Sequence, residues 1–210
     1  MNIAENYLFP LRNIKALFLG AVFTAVPSLF SVLVIALGNL YISAAVFVPF
    51  IVLVVGYLCV LAETQFTNPE LMPGWFNFKD IFMNGLKLFP AVFVFIGLPI
   101  IATFSVSNTN LLFLFSFLSA FFSFFLPFII ARFAETKRFA DSFRFDIVFR
   151  KFLAVWKEYL VTFFLMIPLL LVFITVSNYA KFTIIIPAFL DFYFYIVFVR
   201  AMAVLYAKTI

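Results

Sequence analysis

Residues 111–131 read LLFLFSFLSAFFSFFLPFIIA, a stretch of 21 residues without a charged side chain. A helix needs about 20 largely apolar residues to cross about 30 Å of hydrocarbon, so this stretch predicts a membrane-spanning helix. The chain contains five further runs of the same kind between its charges. We therefore expect an all-α polytopic membrane protein with six spans, at residues 16–37, 41–62, 88–106, 111–131, 159–176 and 183–205.

The composition of the whole chain agrees with a lipid environment and excludes several kinds of chemistry. Of the 210 residues, 67% are hydrophobic and 11% are charged, whereas about a quarter are charged in soluble domains. The chain has no histidine and one cysteine, Cys59, so it offers no imidazole base or ligand and no intrachain disulfide. We expect no metal, no cofactor and no enzymatic activity.

The connections between the spans divide the positive charge unequally. Three connections are short turns, at 38–40, 107–110 and 177–182, whereas 63–87 and 132–158 are long. Thirteen of the 14 Lys and Arg residues lie on the side of the termini and the long connections, and only Lys181 lies in a short turn. The positive-inside rule then predicts both termini on the cytoplasmic side of the cytoplasmic (inner) membrane. This distribution accounts for the net charge of +5, and we expect no nucleic-acid partner.

The sequence also contains short motifs that recur at regular intervals. Ala-Glu-Thr occurs at 62–64 and at 134–136, and Ala-Lys-Thr occurs at 207–209, at intervals of 72 and 73 residues. This register predicts a single membrane domain over 1–210, built from three repeats of about 1–64, 65–136 and 137–209. Each repeat would be an interfacial segment followed by a helical hairpin, and three hairpins could surround a pseudo-threefold axis.

Prolines recur near the middle of the odd-numbered spans, at Pro27, Pro99 and Pro168. A proline removes one backbone hydrogen bond and kinks a helix. Membrane helices tolerate this when neighbours satisfy the freed carbonyl. Each proline is therefore either a packing kink or a hinge in a translocation path.

The two long connections have compositions typical of the membrane interface. In the first, Trp75 is suited to the headgroup layer, and Asn77 is placed to cap a short helix. The second interleaves aromatic and basic residues, which favours contact with anionic lipid, although docking of a protein partner is the alternative. Its basic residues are Arg132, Lys137, Arg138, Arg144, Arg150, Lys151 and Lys157.

A series of short motifs runs through the central half of the chain: PGW at 73–75, DIF at 80–82, NGLK at 84–87, ARFAE at 131–135 and FD at 145–146. This series resembles an uncharacterised family of prokaryotic membrane proteins, domain of unknown function 4013. Gly74 departs from the acidic residue expected between the proline and the tryptophan. The resemblance implies a bacterial or archaeal cytoplasmic membrane and a multi-helix fold, and it implies no activity.

Ionisable residues inside a membrane are costly and are candidates for function. Asp191 lies about eight residues inside the predicted sixth span, and it is either structural or a site for an ion, a proton or a ligand. Arg200, further along the same span, is expected to reach the interface. Glu63, Glu135 and Lys208 occupy equivalent positions at helix ends, where they could form a charge network or remain solvated.

Three functions are compatible with this inventory. The first is a non-enzymatic accessory or scaffolding subunit that packs with lipid or other membrane proteins, because six spans with one clear buried acid offer little polar lining for a solute. The alternative is a small transporter or channel for a proton, an ion or a hydrophobic solute, built around Asp191. A lipid-modifying enzyme comes third.

Overall fold

The computed structural model describes the backbone of residues 3–37, 40–105, 108–179 and 185–210. Side chains are described at 5–26, 47–99, 101–103, 108–172, 175–176 and 186–210. The three predicted turns therefore lie partly or wholly outside the described residues. The same holds for Lys181 and for the side chain of Pro27.

Most of the described residues are helical, and none of them lies in a strand. A π-helical turn occupies Phe93–Gly97, and short 3₁₀ helices occupy Phe9–Asn13 and Phe139–Phe143. The α-helices are α1 (Ile3–Leu8), α2 (Ile14–Leu37), α3 (Leu40–Thr67), α4 (Phe78–Val92), α5 (Leu98–Ser105), α6 (Thr109–Thr136), α7 (Phe145–Ala154), α8 (Trp156–Tyr179) and α9 (Ile185–Ala207).

Five described helical stretches are long and apolar enough to cross a membrane. A sixth is obtained if α7 and α8, which meet at 89°, count as one broken span. Large apolar side chains such as Phe113 and Phe164 are 73% and 61% exposed, as lipid-facing residues would be. The chain is thus a multi-pass α-helical membrane protein, and the described residues of the six predicted runs are helical.

The third predicted span differs from expectation at its start. The short helix expected after Asn77 does not end before the span, because α4 runs without interruption from Phe78 to Val92 and continues through the π turn into α5. Asn77 occupies the N-cap position, and its side chain makes no capping hydrogen bond there. The interfacial segment and the span are therefore one helical element.

Helices α3, α6 and α9 form the centre of the bundle, where each contacts the other two. The remaining long helices lie outside them: α2 packs on α3 and α9, α4 packs on α3 and α6, and α8 packs on α9. Phe163 of α8 also contacts Phe124 of α6, with ring centroids 4.9 Å apart. A cyclic order of this kind is what three related hairpins would produce, and the repeat itself stays a prediction.

The closest helix crossing joins α3 to α4 through two glycines. A Cβ atom on Gly56 would lie 1.9 Å from the carbonyl oxygen of Ile81, and one on Gly85 would lie 1.8 Å from that of Val52. No side chain can occupy such a space, so the two backbones touch. Small residues at helix interfaces permit this close approach in membranes.

The connection before α4 folds back into the bundle. Trp75 is 8% exposed, its ring stacks on that of Tyr57 with centroids 4.4 Å apart, and its indole N–H donates to the carbonyl of Ala16 at 2.9 Å. The Tyr57 hydroxyl donates to the carbonyl of Pro73 at 2.9 Å. The expectation that Trp75 faces headgroups was wrong, because its ring packs against protein and its N–H has a protein partner.

Three tyrosine hydroxyls donate to carbonyls that lie three residues before a proline. Tyr7 donates to Leu165, before Pro168, Tyr159 donates to Phe124, before Pro127, and Tyr193 donates to Tyr7, before Pro10. A proline ring pushes the preceding turn away and opens its carbonyls to outside donors. Before Pro99 the helix is distorted in a different way, because a π-helical turn, Phe93–Gly97, ends two residues before the proline.

Candidate functional site

A cavity of about 660 Å³ lies within the bundle, between the central helices and α2, α4 and α8. Its lining is dominated by phenylalanine and aliphatic side chains. The lining residues are Phe23, Thr24, Phe47, Phe50, Ile51, Val54, Val55, Leu58, Val92, Ile96, Ala120, Ser123, Phe124, Leu126, Pro127, Ile130, Phe163, Leu170, Asp191, Phe194, Tyr195, Phe198 and Val199.

Four lining residues carry polar side-chain atoms: Thr24, Ser123, Asp191 and Tyr195. The Thr24 hydroxyl already bonds helix carbonyls, with the Gly20 oxygen at 2.7 Å and that of Ala188 on α9 at 3.3 Å. It therefore joins α2 to α9 one turn before Asp191. The polar part of the lining is small and is spread over α2, α6 and α9.

Among the described lining residues, Asp191 is the one with a formal charge. It lies six residues after the first residue of α9, about 9 Å along the helix axis. Its carboxylate forms no ion pair or side-chain hydrogen bond with any described residue. Of the three environments open to it, a cavity, an interface or a packed core, the structure places Asp191 at the cavity.

The neighbouring face of α9 explains why this side chain is held in that position. Phe192, which is fully buried, fills the space left by Gly20, where a Cβ would lie 1.9 Å from the ring. Its ring also contacts Tyr57 and Trp75, at 5.5 and 6.2 Å between centroids. The packing of Phe192 fixes the rotation of α9, and so it fixes the direction in which the next face presents Asp191 and Tyr195.

A second polar group lies where α3, α6 and α9 terminate, an end of the bundle that we call the charged end. Glu135 accepts hydrogen bonds from Arg132 at 2.8 Å, Tyr206 at 2.6 Å and Lys151 at 3.4 Å. Arg132 also faces Asp141 at 3.7 Å. Because these side chains come from α6, the 3₁₀ helix, α7 and α9, the cluster connects four elements.

The three helix-end charges, for which the sequence allowed either one network or solvation, have separate partners. Glu63 pairs with Lys137, Glu135 pairs with Arg132 and Lys151, and Lys208 pairs with Glu158. Lys137 has a left-handed backbone, with φ of 55°, just after α6 ends. That conformation directs the chain out of α6 next to the end of α3.

The basic residues of the second long connection divide into two groups. Arg132, Lys137 and Lys151 point inward and pair with carboxylates, and Arg144 forms an exposed pair with Asp146 at 3.2 Å. Burial lowers the pKa of the Lys151 ammonium, and the Glu135 carboxylate opposes that effect. In this connection, the exposed cations that form no ion pair with a described residue are Arg138, Arg150 and Lys157.

Arg200 departs from the sequence expectation. It is 3% exposed, and it donates to Asn6 at 2.9 Å and to the carbonyl of Pro69 at 3.1 Å. Its guanidinium lies 4.1 Å from the ring centre of Phe9. The expected reach to the interface is wrong because the N-terminal segment folds over α9. No sequence motif predicts the contacts of Arg200. The only sign of them in the sequence is a single arginine within an apolar run.

The described part of the chain contains no assembled set of side chains that could ligate a metal or a cofactor. No three carboxylate or thiol side chains come together there as a metal would require. Cys59 is buried, with the Lys137 ammonium 3.9 Å from its sulfur. The cavity is therefore a candidate site for a ligand other than a metal ion.

Comparison with known proteins gives one match. A family model described as "Protein of unknown function (DUF4013)" matches residues 40–180. That range includes every motif on which the sequence resemblance rested. No curated protein and no solved structure matches the chain. Because the family model covers about two thirds of the 210 residues, the chain belongs to this family of uncharacterised proteins.

Proposed function

We propose that this multi-pass membrane protein binds a hydrophobic or amphipathic molecule within the bundle, as a carrier or transporter. The observation that supports the proposal is the cavity beside Asp191. Its volume of about 660 Å³ falls within the range of about 300–1,000 Å³ that is usual for small-molecule sites, which are mostly apolar with a few polar groups.

The lining favours a hydrophobic occupant over a hydrated ion. Ions that cross a protein need several oxygen ligands or charged rings to replace their water. Here one carboxylate and three hydroxyl groups are surrounded by phenylalanine and aliphatic side chains. The hydroxyl of Thr24 is already occupied by helix carbonyls. An aqueous pathway would be poorly supported by such a surface.

The accessory or scaffolding role favoured by sequence rested on the shortage of polar lining. A hydrophobic ligand removes that objection, because it needs little polar lining. The non-enzymatic character remains part of the proposal and is supported by the sparse set of ionisable groups around the cavity. The membrane concerned is proposed to be the cytoplasmic one, with the charged end facing the cytoplasm.

Photolabelling with 4-methylbenzophenone tests the proposal, since this neutral aromatic ketone inserts into nearby C–H bonds on illumination. The protein is reconstituted in lipid nanodiscs, labelled and digested, and the modified peptides are identified by mass spectrometry. We expect adducts in the segments of α6 and α9 that line the cavity. Ala120→Trp, which places an indole in the cavity, should reduce these adducts severalfold.

Leu114→Trp is the matched control, because Leu114 lies on the same helix, is 46% exposed and does not line the cavity. It should leave the cavity adducts unchanged. Equal labelling of wild type and Ala120→Trp in the cavity segments, or adducts on lipid-facing residues alone, would overturn the proposal.

A further inference from the structure

We infer that the cavity selects a lipophilic monovalent cation, with the positive charge beside Asp191 and the apolar body among the phenylalanine side chains. The inference rests on the proposed function and specifies the chemical class of the ligand. It follows from the charge of the cavity, the nature of its walls and the placement of the chain's own cations.

Charge complementarity is the first argument. A carboxylate taken out of water is costly unless an opposite charge accompanies it. Among the residues that the structure describes, Asp191 has no ion-pair partner and no Lys or Arg lines the cavity. Arg200, on the same helix, is held by Asn6 and the carbonyl of Pro69. Within the described residues no compensating charge is present, and a bound cation can supply it.

The walls are the second argument, because they suit an apolar body that carries a diffuse positive charge. Aromatic faces attract organic cations, and rings recur on several sides of the cavity. They include Phe23, Phe50, Phe124, Phe163, Phe194 and Phe198. A hydrated inorganic cation would lose its water and find one carboxylate, whereas a lipophilic cation gains contact over its whole surface.

A lipophilic anion is excluded by the same arrangement. Its charge would meet the Asp191 carboxylate at short range in a medium of low dielectric, where like charges repel strongly. A neutral ligand would gain the apolar contacts and leave Asp191 uncompensated. The order of affinity expected for three molecules of similar shape is thus cation, neutral molecule, anion.

Matched benzophenones test this order. They are (4-benzoylbenzyl)trimethylammonium as the cation, 4-methylbenzophenone as the neutral probe and 4-benzoylbenzoate as the anion. Apparent affinities come from the concentration dependence of cavity photolabelling in nanodiscs made from a zwitterionic lipid. We expect the cation to bind at least about tenfold more tightly than the neutral probe. Asp191→Asn should remove this preference and leave the neutral probe unaffected.

Asp80→Asn is the control, because Asp80 is an exposed carboxylate in the first turn of α4 and is not part of the lining. Gel filtration and melting temperature establish that each variant is folded, and Asp191→Glu supplies a charge-retaining variant if Asp191→Asn does not fold. The inference is overturned if the cavity labels equally with cation and neutral probe, as neutralisation of Asp191 by a proton alone would give. Failure of all three probes to label the cavity would instead overturn the proposed function.

Discussion

The hydroxyl of Tyr206 on α9 donates a hydrogen bond of 2.6 Å to the carboxylate of Glu135 on α6. Lys151 of α7 reaches the same carboxylate at 3.4 Å while its ammonium lies 4.1 Å from the centre of the Tyr206 ring. One acid therefore joins two central helices and the amphipathic α7. The ARFAE motif, which includes Glu135, has a structural role at the charged end.

Glu135→Gln should destabilise the protein by about 2 kcal/mol, because it leaves the poorly exposed Arg132 and Lys151 without their carboxylate. Glu158→Gln is the comparison: its pair with Lys208 is about half exposed, and loss of such a pair costs less than about 1 kcal/mol. Melting temperatures in one detergent measure both. Equal shifts for the two variants would show that the Glu135 cluster contributes no more than a surface pair.

Gly85→Ala should also destabilise the protein, although alanine is the better helix former by about 1 kcal/mol. The added Cβ would lie 1.8 Å from the Val52 carbonyl oxygen, so α3 and α4 must move apart at a cost of about 1–3 kcal/mol. Gly97→Ala meets only the Phe93 ring, at 2.8 Å, and that ring can move. A higher melting temperature for Gly85→Ala would contradict the close crossing.

The exposed cations of the second connection should attract anionic lipid. Trp156 is 45% exposed, whereas the other tryptophan, Trp75, is 8% exposed, so lipid-borne bromine quenches mainly Trp156. Brominated phosphatidylglycerol should quench more strongly than brominated phosphatidylcholine, because each nearby cation contributes about 1 kcal/mol. Neutralising Arg138, Arg150 and Lys157 together should abolish the difference.

Arg144→Gln is the control for lipid quenching, since Arg144 is already paired with Asp146 at 3.2 Å. It should change the preference little. If the triple variant keeps the full preference for phosphatidylglycerol, these three cations do not bind anionic lipid, and a protein partner becomes the better explanation of the surface.

Membrane orientation can be measured with single cysteines. In a Cys59→Ala background, Arg138→Cys should react with a membrane-impermeant maleimide only after the cytoplasmic side is exposed, and Lys181→Cys should react from outside. The physical reason is the positive-inside rule, because the predicted spans place 13 of the 14 basic residues on one side. Labelling of both positions from one side would contradict the alternation of spans, and the reverse pattern would contradict the orientation.

The spans could be predicted from sequence because a lipid environment requires long apolar runs, which are easy to recognise. Long apolar runs such as 111–131 have no other stable use, and the charges that interrupt them mark the ends of helices. The separation of a short helix from the third span was wrong because Lys79 and Lys87 interrupt the apolar pattern, whereas the helix that begins after Asn77 continues through them. Both lysines are exposed, so the helix can carry them at no cost to its core.

Only part of the candidate site could be predicted from the sequence. Asp191 stood out as an acid in an apolar run, but its position on a cavity depends on Phe192 and Gly20 packing on the neighbouring face of α9. The sites of Arg200 and Trp75 depend on segments distant in sequence, the N-terminal segment and the connection before α4. Long-range contacts of this kind leave no local pattern in a single sequence.

The most direct test of the central claim, that the cavity beside Asp191 holds a hydrophobic ligand, is to locate a heavy atom. Crystals grown from lipid and soaked with 4-iodobenzophenone would be measured at a wavelength where iodine scatters anomalously. We predict an anomalous peak inside the cavity, between Asp191 on α9 and Ser123 on α6, that is lost in Ala120→Trp. An iodine peak confined to the outer surface, with none among the lining residues, would contradict the account.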